Sequence, residues 1–320
     1  MDLSIIIVNW NSKDYLENCI SSIIEETSGI SYEIIVIDSG SFDGCENILN
    51  KKFEGVRFIQ SKENLGFASA NNRAFRDTIG EYVLFLNPDT IIMNNSLNLL
   101  LDKLEISPNV AIVGAKLLNT DGSLQTSCIQ AFPTITNQIF DNEFLRQILP
   151  KISLWGNQPL FQATIEKSVK VDSVSGACLM IKRDIFKEVN YFSTEYFMYS
   201  EDIDLCYKCF QKGYSVYYIP DAIILHHGGK SSVNAKYNFF SDILMVESQY
   251  RYFNKFFSAS YAKMYRISIL IMSILRIIII VSIFPILMIS KSPHSIRQII
   301  KKWRSRLRWT IGLVGWVKNL

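Results

Sequence analysis

A mostly parallel α/β sheet with helices on both faces is the fold class this sequence predicts. Two observations carry the reading. Short, β-branched apolar runs alternate with amphipathic helical stretches through the first part of the chain, the rhythm of parallel strands joined by helical crossovers. Polar residues follow several of those runs at once, at the carboxyl ends where such sheets bind ligands.

Leu3–Val8 (LSIIIV) reads as the first strand. Tyr15–Ile24 follows with Leu16, Cys19, Ile20, Ile23 and Ile24 at helical spacing. Glu33–Ile37, Val56–Gln60 and Glu81–Leu86 read as further strands, with helices around Gly44–Lys52, Ala68–Thr78 and Asn95–Leu104 between and after them. Thr120–Lys170 is less regular, with Pro133, Pro150 and Pro159, and reads as long loops and short helices suited to an acceptor-binding region. Val174–Lys182 reads as a strand, and Glu201–Lys212 as a helix closed by Gly213. Strands at Ser215–Ile219 and Ala222–His226 and a helix at Tyr237–Phe257 complete the pattern. The reading divides the chain into an α/β domain over 1–235 and a helical, basic region over 236–320.

Charge supports that division. The net charge is +3, but residues 1–247 hold all 30 acidic residues against 20 Lys and Arg, a balance of −10, and the remainder holds 13 cations. The two parts therefore suit different environments. Residues 3–8 are too short for the apolar segment of a secretory signal, and no basic segment precedes them, so none is expected. Six cysteines lack a framework spacing, and Cys206 and Cys209 lack the second pair a zinc site needs. On the expected helix Cys206 shares a face with Ile203 and Phe210, which makes it core filling.

The strand ends carry the chemistry. Strand one ends in Asn9-Trp10-Asn11, strand two in Asp38-Ser39-Gly40-Ser41, and the Glu81–Leu86 strand in Asn87-Pro88-Asp89-Thr90. A later segment supplies Ser200-Glu201-Asp202-Ile203-Asp204. One such acid is ordinarily a helix cap; four polar ends meeting at one sheet edge are not explained by capping.

In these segments the chain resembles a family 2 glycosyltransferase of the GT-A fold. SIIIVNWN (4–11), VIDSGSFDG (36–44), Asn64-Leu65-Gly66-Phe67 with Asn71 and Asn72, LNPDT (86–90), VSGACLMI (174–181), EDIDLC (201–206) and LHHGGKS (225–231) match that family's segments in order. VNWN, NPD and EDIDLC are most similar to its rhamnosyltransferase-like branch, which points to a dTDP-linked deoxysugar; a UDP-sugar is the other donor considered. The resemblance implies a nucleotide-sugar site at Asn9, Asp38, Asn64, Gly66 and Asn87, with Asp38 accepting from the ring N–H of a pyrimidine. It implies Mn²⁺ or Mg²⁺ held by Asp89 and by His226 in preference to His227. Asn87 stands where the family more often has a second acid; its amide oxygen is still a donor, but the site loses one negative charge. The resemblance makes Asp202 the base for the acceptor hydroxyl, with Glu201 holding it or touching the acceptor. Asp43 is expected to cap the following helix, Asp204 to be a first-turn charge, and Gly66 to admit the nucleotide or simply to form a turn. Arg251 is a lesser candidate for a donor phosphate.

Ile267–Ile289 is long enough to span a bilayer, yet Arg276 lies near its middle and Pro285 near its end, and Lys291–Arg308 adds seven cations. A single crossing from a cytoplasmic domain would put those charges outside. Helices lying in the interface, or a shallow re-entrant hairpin, fit better, with the basic run on anionic headgroups and Trp303, Trp309 and Trp316 at interfacial depth. Packing of this stripe on the rest of the chain is the alternative. Nothing in the sequence resembles a nucleic-acid module. The expected activity is inverting transfer of a sugar to a glycan acceptor, polyprenyl-linked, at the cytoplasmic face of the membrane. The rivals are a sugar nucleotidyltransferase, which needs a Gly-rich basic loop where Asn9-Trp10-Asn11-Ser12 stands, and a non-catalytic membrane adaptor, favoured only by Asn87.

Overall fold

The structure, a computed structural model, describes residues 1–140, 167–228, 239–284 and 292–319. The chain forms two units, one comprising Met1–Phe132, Glu143–Thr194 and Glu201–Val233, the other Pro133–Asn142, Glu195–Ser200 and Asn234–Leu320.

The chain opens with β1 (Leu3–Asn9), α1 (Lys13–Glu26), β2 (Tyr32–Asp38), α2 (Cys45–Lys52), β3 (Arg57–Gln60), α3 (Gly66–Phe75) and β4 (Tyr82–Leu86). β5 (Thr90–Met93), α4 (Ser96–Glu105), β6 (Val110–Leu118), β7 (Ile129–Gln130) and α5 (Ile135–Ile139) follow. Next come β8 (Val169–Val171), β9 (Ser173–Val174), β10 (Cys178–Lys182), α6 (Arg183–Glu188), α7 (Glu201–Gln211) and β11 (Ser215–His226). The second unit adds α8 (Phe240–Phe256), α9 (Ala259–Ser282) and α10 (Pro293–Thr310) to α5.

Among the described residues nine strands form one sheet in the order β3-β2-β1-β4-β10-β6-β11-β5, with β8 on β11. β1 to β4 pair in parallel, and β6 and β11 run the same way; β5, β8 and β10 are reversed. The sheet is mixed and mostly parallel, as the alternating pattern predicts. Its central strands are apolar throughout because both faces are covered: Ile5, Ile6, Ile7, Val83, Leu84 and Phe85 are fully buried. The carboxyl ends of β1, β2, β4 and β11 therefore share one edge, which positions the site.

Three features depart from the sequence reading. β6 is an additional central strand, interrupted in its apolar pattern by Gly114; a Cβ there would lie 2.5 Å from Val174 Cβ, so a glycine is needed for β9 to cross it. The expected strand Val174–Lys182 is broken at Ser175–Ala177, where the Gly176 amide turns to bond Asp202. The two expected strands after Gly213 are one, β11, whose register slips between Ile219 and Ile223 because Pro220 offers no N–H to the ladder. Much of the Thr120–Lys170 region, Pro150 and Pro159 included, lies outside the described residues, as do Pro285 and the end of the LHHGGKS segment. Cys206 and Cys209 are buried free thiols in the core, beside buried Ile203, whereas Phe210 is exposed and its ring lies tilted 5.5 Å from that of Phe132.

In the second unit α9 packs on α5, α8 and α10. Arg306 forks onto Asp242, Lys302 joins it at 3.2 Å, and buried Trp309 donates its indole N–H to Glu247 at 2.8 Å. Trp309 is thus a core residue, in contrast to the interfacial depth expected of it, because Glu247 satisfies its N–H inside the unit. Arg251 bonds Glu247 and the carbonyls of Glu195 and Val317. Its guanidinium serves this unit's packing. The outer face of α9 presents Met264, Ile267, Ile271, Ile274, Leu275 and Ile278 uncovered at spacings of three and four.

Candidate active site

The turn after β4 is pinned from three sides. Asn87 N–H donates to Ala177 O at 3.0 Å, Thr90 Oγ1 to Asn87 O at 2.8 Å, and His227 N–H to Asp89 O at 2.9 Å. These bonds bring Asp89 against the end of β11, and Asp89 Oδ1 lies 3.3 Å from His226 Nε2. Asn87 Nδ2 lies 3.3 Å from the same nitrogen. His226 Nδ1 is 2.9 Å from Gln125 Oε1, while Gln125 Nε2 donates to His226 O at 2.6 Å. The amide oxygen accepts only from a protonated Nδ1, so Nε2 is the ring nitrogen left to face Asp89 and Asn87. Carboxylate oxygen, imidazole nitrogen and, on rotation of the Asn87 amide, a carbonyl oxygen make a donor set that fits Mn²⁺ or Mg²⁺. His227 instead packs its ring 5.2 Å from that of Tyr15.

Gln125 has no place in the sequence reading. It sits in the turn after β6, fixed by its N–H to Leu117 O at 2.9 Å. It acts on His226 as the outer partner that sets a ligand's tautomer and orientation.

Asp202 opens α7 on the other side of Asn87. Its Oδ2 accepts from Gly176 N–H at 2.9 Å, and its Oδ1 from Ile203 N–H at 2.8 Å. Ala177, next to Gly176, is the residue that holds Asn87. Burial raises the Asp202 pKa above the ordinary carboxylate value and outweighs the two amide bonds that lower it. A raised pKa makes its anion a stronger base. Glu201 is buried beside it. Asp204 is fully buried, takes a hydrogen bond from Ser193 Oγ at 2.5 Å and lies 3.4 Å from Lys208 Nζ. It is the first-turn charge the sequence suggests, and Ser193 and Lys208 turn it into an internal anchor of α7.

Asp38, at the end of β2, is wholly buried. Burial would raise its pKa, but donors from Ser41, Gln60, Phe42 N–H and Asn9 outweigh that and hold it below the ordinary value. Asn9 Nδ2 is 2.9 Å from Asp38 Oδ1, 3.0 Å from Asp43 Oδ2 and 3.4 Å from Cys45 Sγ. Asp38, Asp43 and Cys45 offer atoms within 4.8 Å of one another, a grouping with metal-like spacing. The Asn9 amide already fills its centre, so the cluster reads as a locked loop. Asp43 also accepts from Lys13 N–H and Cys45 N–H, at the starts of α1 and α2. Asn64 Oδ1 accepts from Gly66 N–H at 2.9 Å and from Ser39 Oγ at 3.3 Å. Gly66 begins α3 at φ +70°, and Gly40 at φ +72° would put a Cβ 2.5 Å from Glu63 C. The Asn64–Gly66 loop thus lies directly on the loop after β2.

Comparison with solved structures gives the class. The fold matches a mannosyltransferase, PcManGT from Pyrobaculum calidifontis, solved with GDP-Man and Mn²⁺, at a TM-score of 0.60 and 16% identity over 96% of this chain and 87% of that one. It also matches GalNAc-T7, solved with UDP, GalNAc and Mn²⁺, at 0.53 and 15% over 71% of this chain and 44% of that one. The architecture is the GT-A fold of glycosyltransferases. The model of the family "Glycosyl transferase family 2" matches residues 4–189, more than half of the chain, and the protein belongs to that family. An N-acetylglucosaminyl-diphospho-decaprenol L-rhamnosyltransferase of Mycobacterium tuberculosis is 27% identical over 242 residues, 72% of this chain and 77% of that one. Rhamnosyltransferase WbbL of Escherichia coli is 28% identical over 233 residues, 70% and 82%. The chain is a glycosyltransferase of the rhamnosyltransferase-like branch, and the nucleotidyltransferase and adaptor readings are set aside.

Proposed function

We propose that this enzyme moves a deoxyhexose such as rhamnose, with inversion, from a nucleoside diphosphate to a polyprenyl-linked glycan in cell-surface polysaccharide synthesis. The observation that carries it is the Asp89–His226 pair, with the imidazole oriented by Gln125 and Asp202 joined to the same turn through Gly176 and Ala177. Asp89, His226 and Asn87 would hold the divalent cation, which neutralises diphosphate charge as a Lewis acid when bound. Asn9, Asp38, Asn64 and Gly66 form the nucleotide side; a base N–H reaching Asp38 would replace one of the chain's own donors there, most readily the Gln60 amide. Asp202 takes the proton of the acceptor hydroxyl, and buried Glu201 fixes its place at the start of α7. The two rhamnosyltransferase relatives support rhamnose as the sugar moved, and the mycobacterial one a lipid diphosphate acceptor; dTDP as the carrier rests on the motif resemblance. Calorimetric titration with dTDP and UDP, each with and without Mn²⁺, tests the donor side. Metal-dependent binding with dTDP preferred is expected, and no binding under any condition would remove the reading.

The second unit suits the cytoplasmic membrane surface, where nucleotide sugars meet lipid acceptors. Among the described residues one helix, Ala259–Ser282, is apolar enough to cross a bilayer, but its inner face packs on α8 and α10, which carry the Asp242–Arg306 and Asp242–Lys302 pairs. Those charges are costly in hydrocarbon, so α9 lies in the interface with its bare stripe toward the acyl chains. Ile271→Glu with Ile278→Glu should cut sedimentation with anionic vesicles severalfold; unchanged sedimentation would refute this orientation.

A further inference from the structure

α10 carries its cations in two sets. Lys302 and Arg306 are spent on Asp242, and Arg266 of α9 caps the helix end by bonding the carbonyls of Trp309 and Thr310. Lys301, Arg304 and Arg308 share another face, at steps of three and four, and are exposed. Among the described residues none of these three side chains has an ion pair or hydrogen bond. All three line one cavity of about 460 Å³, within the roughly 300–1,000 Å³ usual for small-ligand pockets. Among the described residues no carboxylate lines it. Its other wall is apolar, formed by Phe239, Ile243, Leu313, Val314 and Trp316, with the Trp316 ring stacked 4.9 Å from that of Phe240.

Three uncompensated cations facing one void repel one another unless an anion enters, and Arg266 has already covered the carbonyls that would repel it there. An apolar wall opposite the charge selects an anion attached to a hydrocarbon. A flat array of phospholipid headgroups would be met by spread surface cations; cations converging on one cavity match two linked phosphoryl groups. A nucleic acid would need a track of such sites.

We propose that this cavity binds the diphosphate and first isoprene units of a polyprenyl diphosphate, the anchor of the acceptor, with Lys301, Arg304 and Arg308 on the phosphoryl oxygens and Leu313 and Trp316 on the prenyl chain. The identity of the lipid as acceptor anchor rests on the glycosyltransferase reading; the diphosphate-prenyl chemistry rests on the cavity alone.

The test is equilibrium binding of full-length protein in non-ionic detergent to farnesyl diphosphate, farnesyl monophosphate, farnesol and inorganic pyrophosphate. Farnesyl diphosphate is expected to bind at least about tenfold more tightly than each of the others. The exposed triple variant Lys301→Gln, Arg304→Gln, Arg308→Gln should lose that preference. Lys263→Gln with Arg297→Gln, which removes tail charge outside the cavity, should keep it, and Leu313→Gln should weaken farnesyl diphosphate but not pyrophosphate. In steady-state transfer the triple variant should raise KM for a prenyl-diphosphate-linked acceptor and leave KM for the donor unchanged. Equal binding of pyrophosphate and farnesyl diphosphate would overturn the proposal. So would a triple variant that loses only adhesion to phosphatidylglycerol vesicles, which would assign these cations to bulk lipid. Prenyl diphosphate binding without nucleotide binding would uphold this cavity and sink the donor reading, so the two failures are distinguishable.

Discussion

Asp202→Asn should lower sugar transfer by about 10²–10⁴-fold, the usual contribution of a positioned base, while donor binding stays intact and thermal stability relative to the parent improves as pH rises. The last effect separates this residue from a structural acid. Burial holds the Asp202 pKa above the 3.8 of an ordinary aspartate. The native state therefore keeps its proton to higher pH than the unfolded chain does, and ionisation costs native stability. This contribution to stability is fully present below the unfolded value, declines as pH rises from there through the folded value, and stays lost above it. An amide carries no charge to desolvate, but its single oxygen keeps only one of the bonds that Oδ2 and Oδ1 accept from Gly176 and Ile203, and its NH2 group meets the other N–H. That loss is the same at every pH, so the difference in melting temperature should shift in the variant's favour as pH rises from the ordinary carboxylate range to pH 7 to 8. The parent's kcat/KM should drop on the acid side as Asp202 takes up a proton. Transfer by the variant within tenfold of the parent would place the base elsewhere; a melting-temperature difference that does not change with pH would mean that burial does not raise the Asp202 pKa.

The parts of the site readable in the sequence are those where one local signal suffices. β1, β2 and β4 are apolar on both faces, so the first polar residues, Asn9, Asp38 and Asn87, mark the sheet edge by themselves. α7 is equally legible, from its acidic start to Gly213. Gln125 was invisible because its partner His226 lies 101 residues away and its own neighbourhood is an unremarkable turn. The break in Val174–Lys182 was hidden for the same reason: the Gly176 amide leaves the ladder for a carboxylate 26 residues on. Asp204 looks like any helix-start acid until Ser193 and Lys208 are folded over it. In α10 six cations look alike in sequence. Asp242, 64 residues before Arg306, decides which are consumed and which face the cavity.

Asp89→Asn should reduce metal-dependent donor affinity by at least about 10²-fold, more than any change to a residue that only orients the ligands, because Asp89 supplies the negative charge of a donor set whose other members, Asn87 and His226, are neutral ligands. Gln125→Leu should cost less, about 10–100-fold in metal affinity: Nδ1–H loses its acceptor, and the imidazole is free to turn Nε2 away from Asp89. Asn87→Asp should move the other way. It puts a second carboxylate beside His226 Nε2, where the present amide nitrogen is 3.3 Å away, and should tighten Mn²⁺ by about tenfold, since ligand charge count tunes such sites. Without metal the same change crowds two carboxylates together, so the variant should melt lower than the parent in chelator and gain more on adding Mn²⁺. Titrating Mn²⁺ into each variant at saturating dTDP reads all three. An order of Asn87→Asp above parent, above Gln125→Leu, above Asp89→Asn assigns the cation to this edge of the sheet. Unchanged Mn²⁺ affinity in Asp89→Asn would move it away from β4, toward the loop that Asn9 now closes around Asp38 and Asp43.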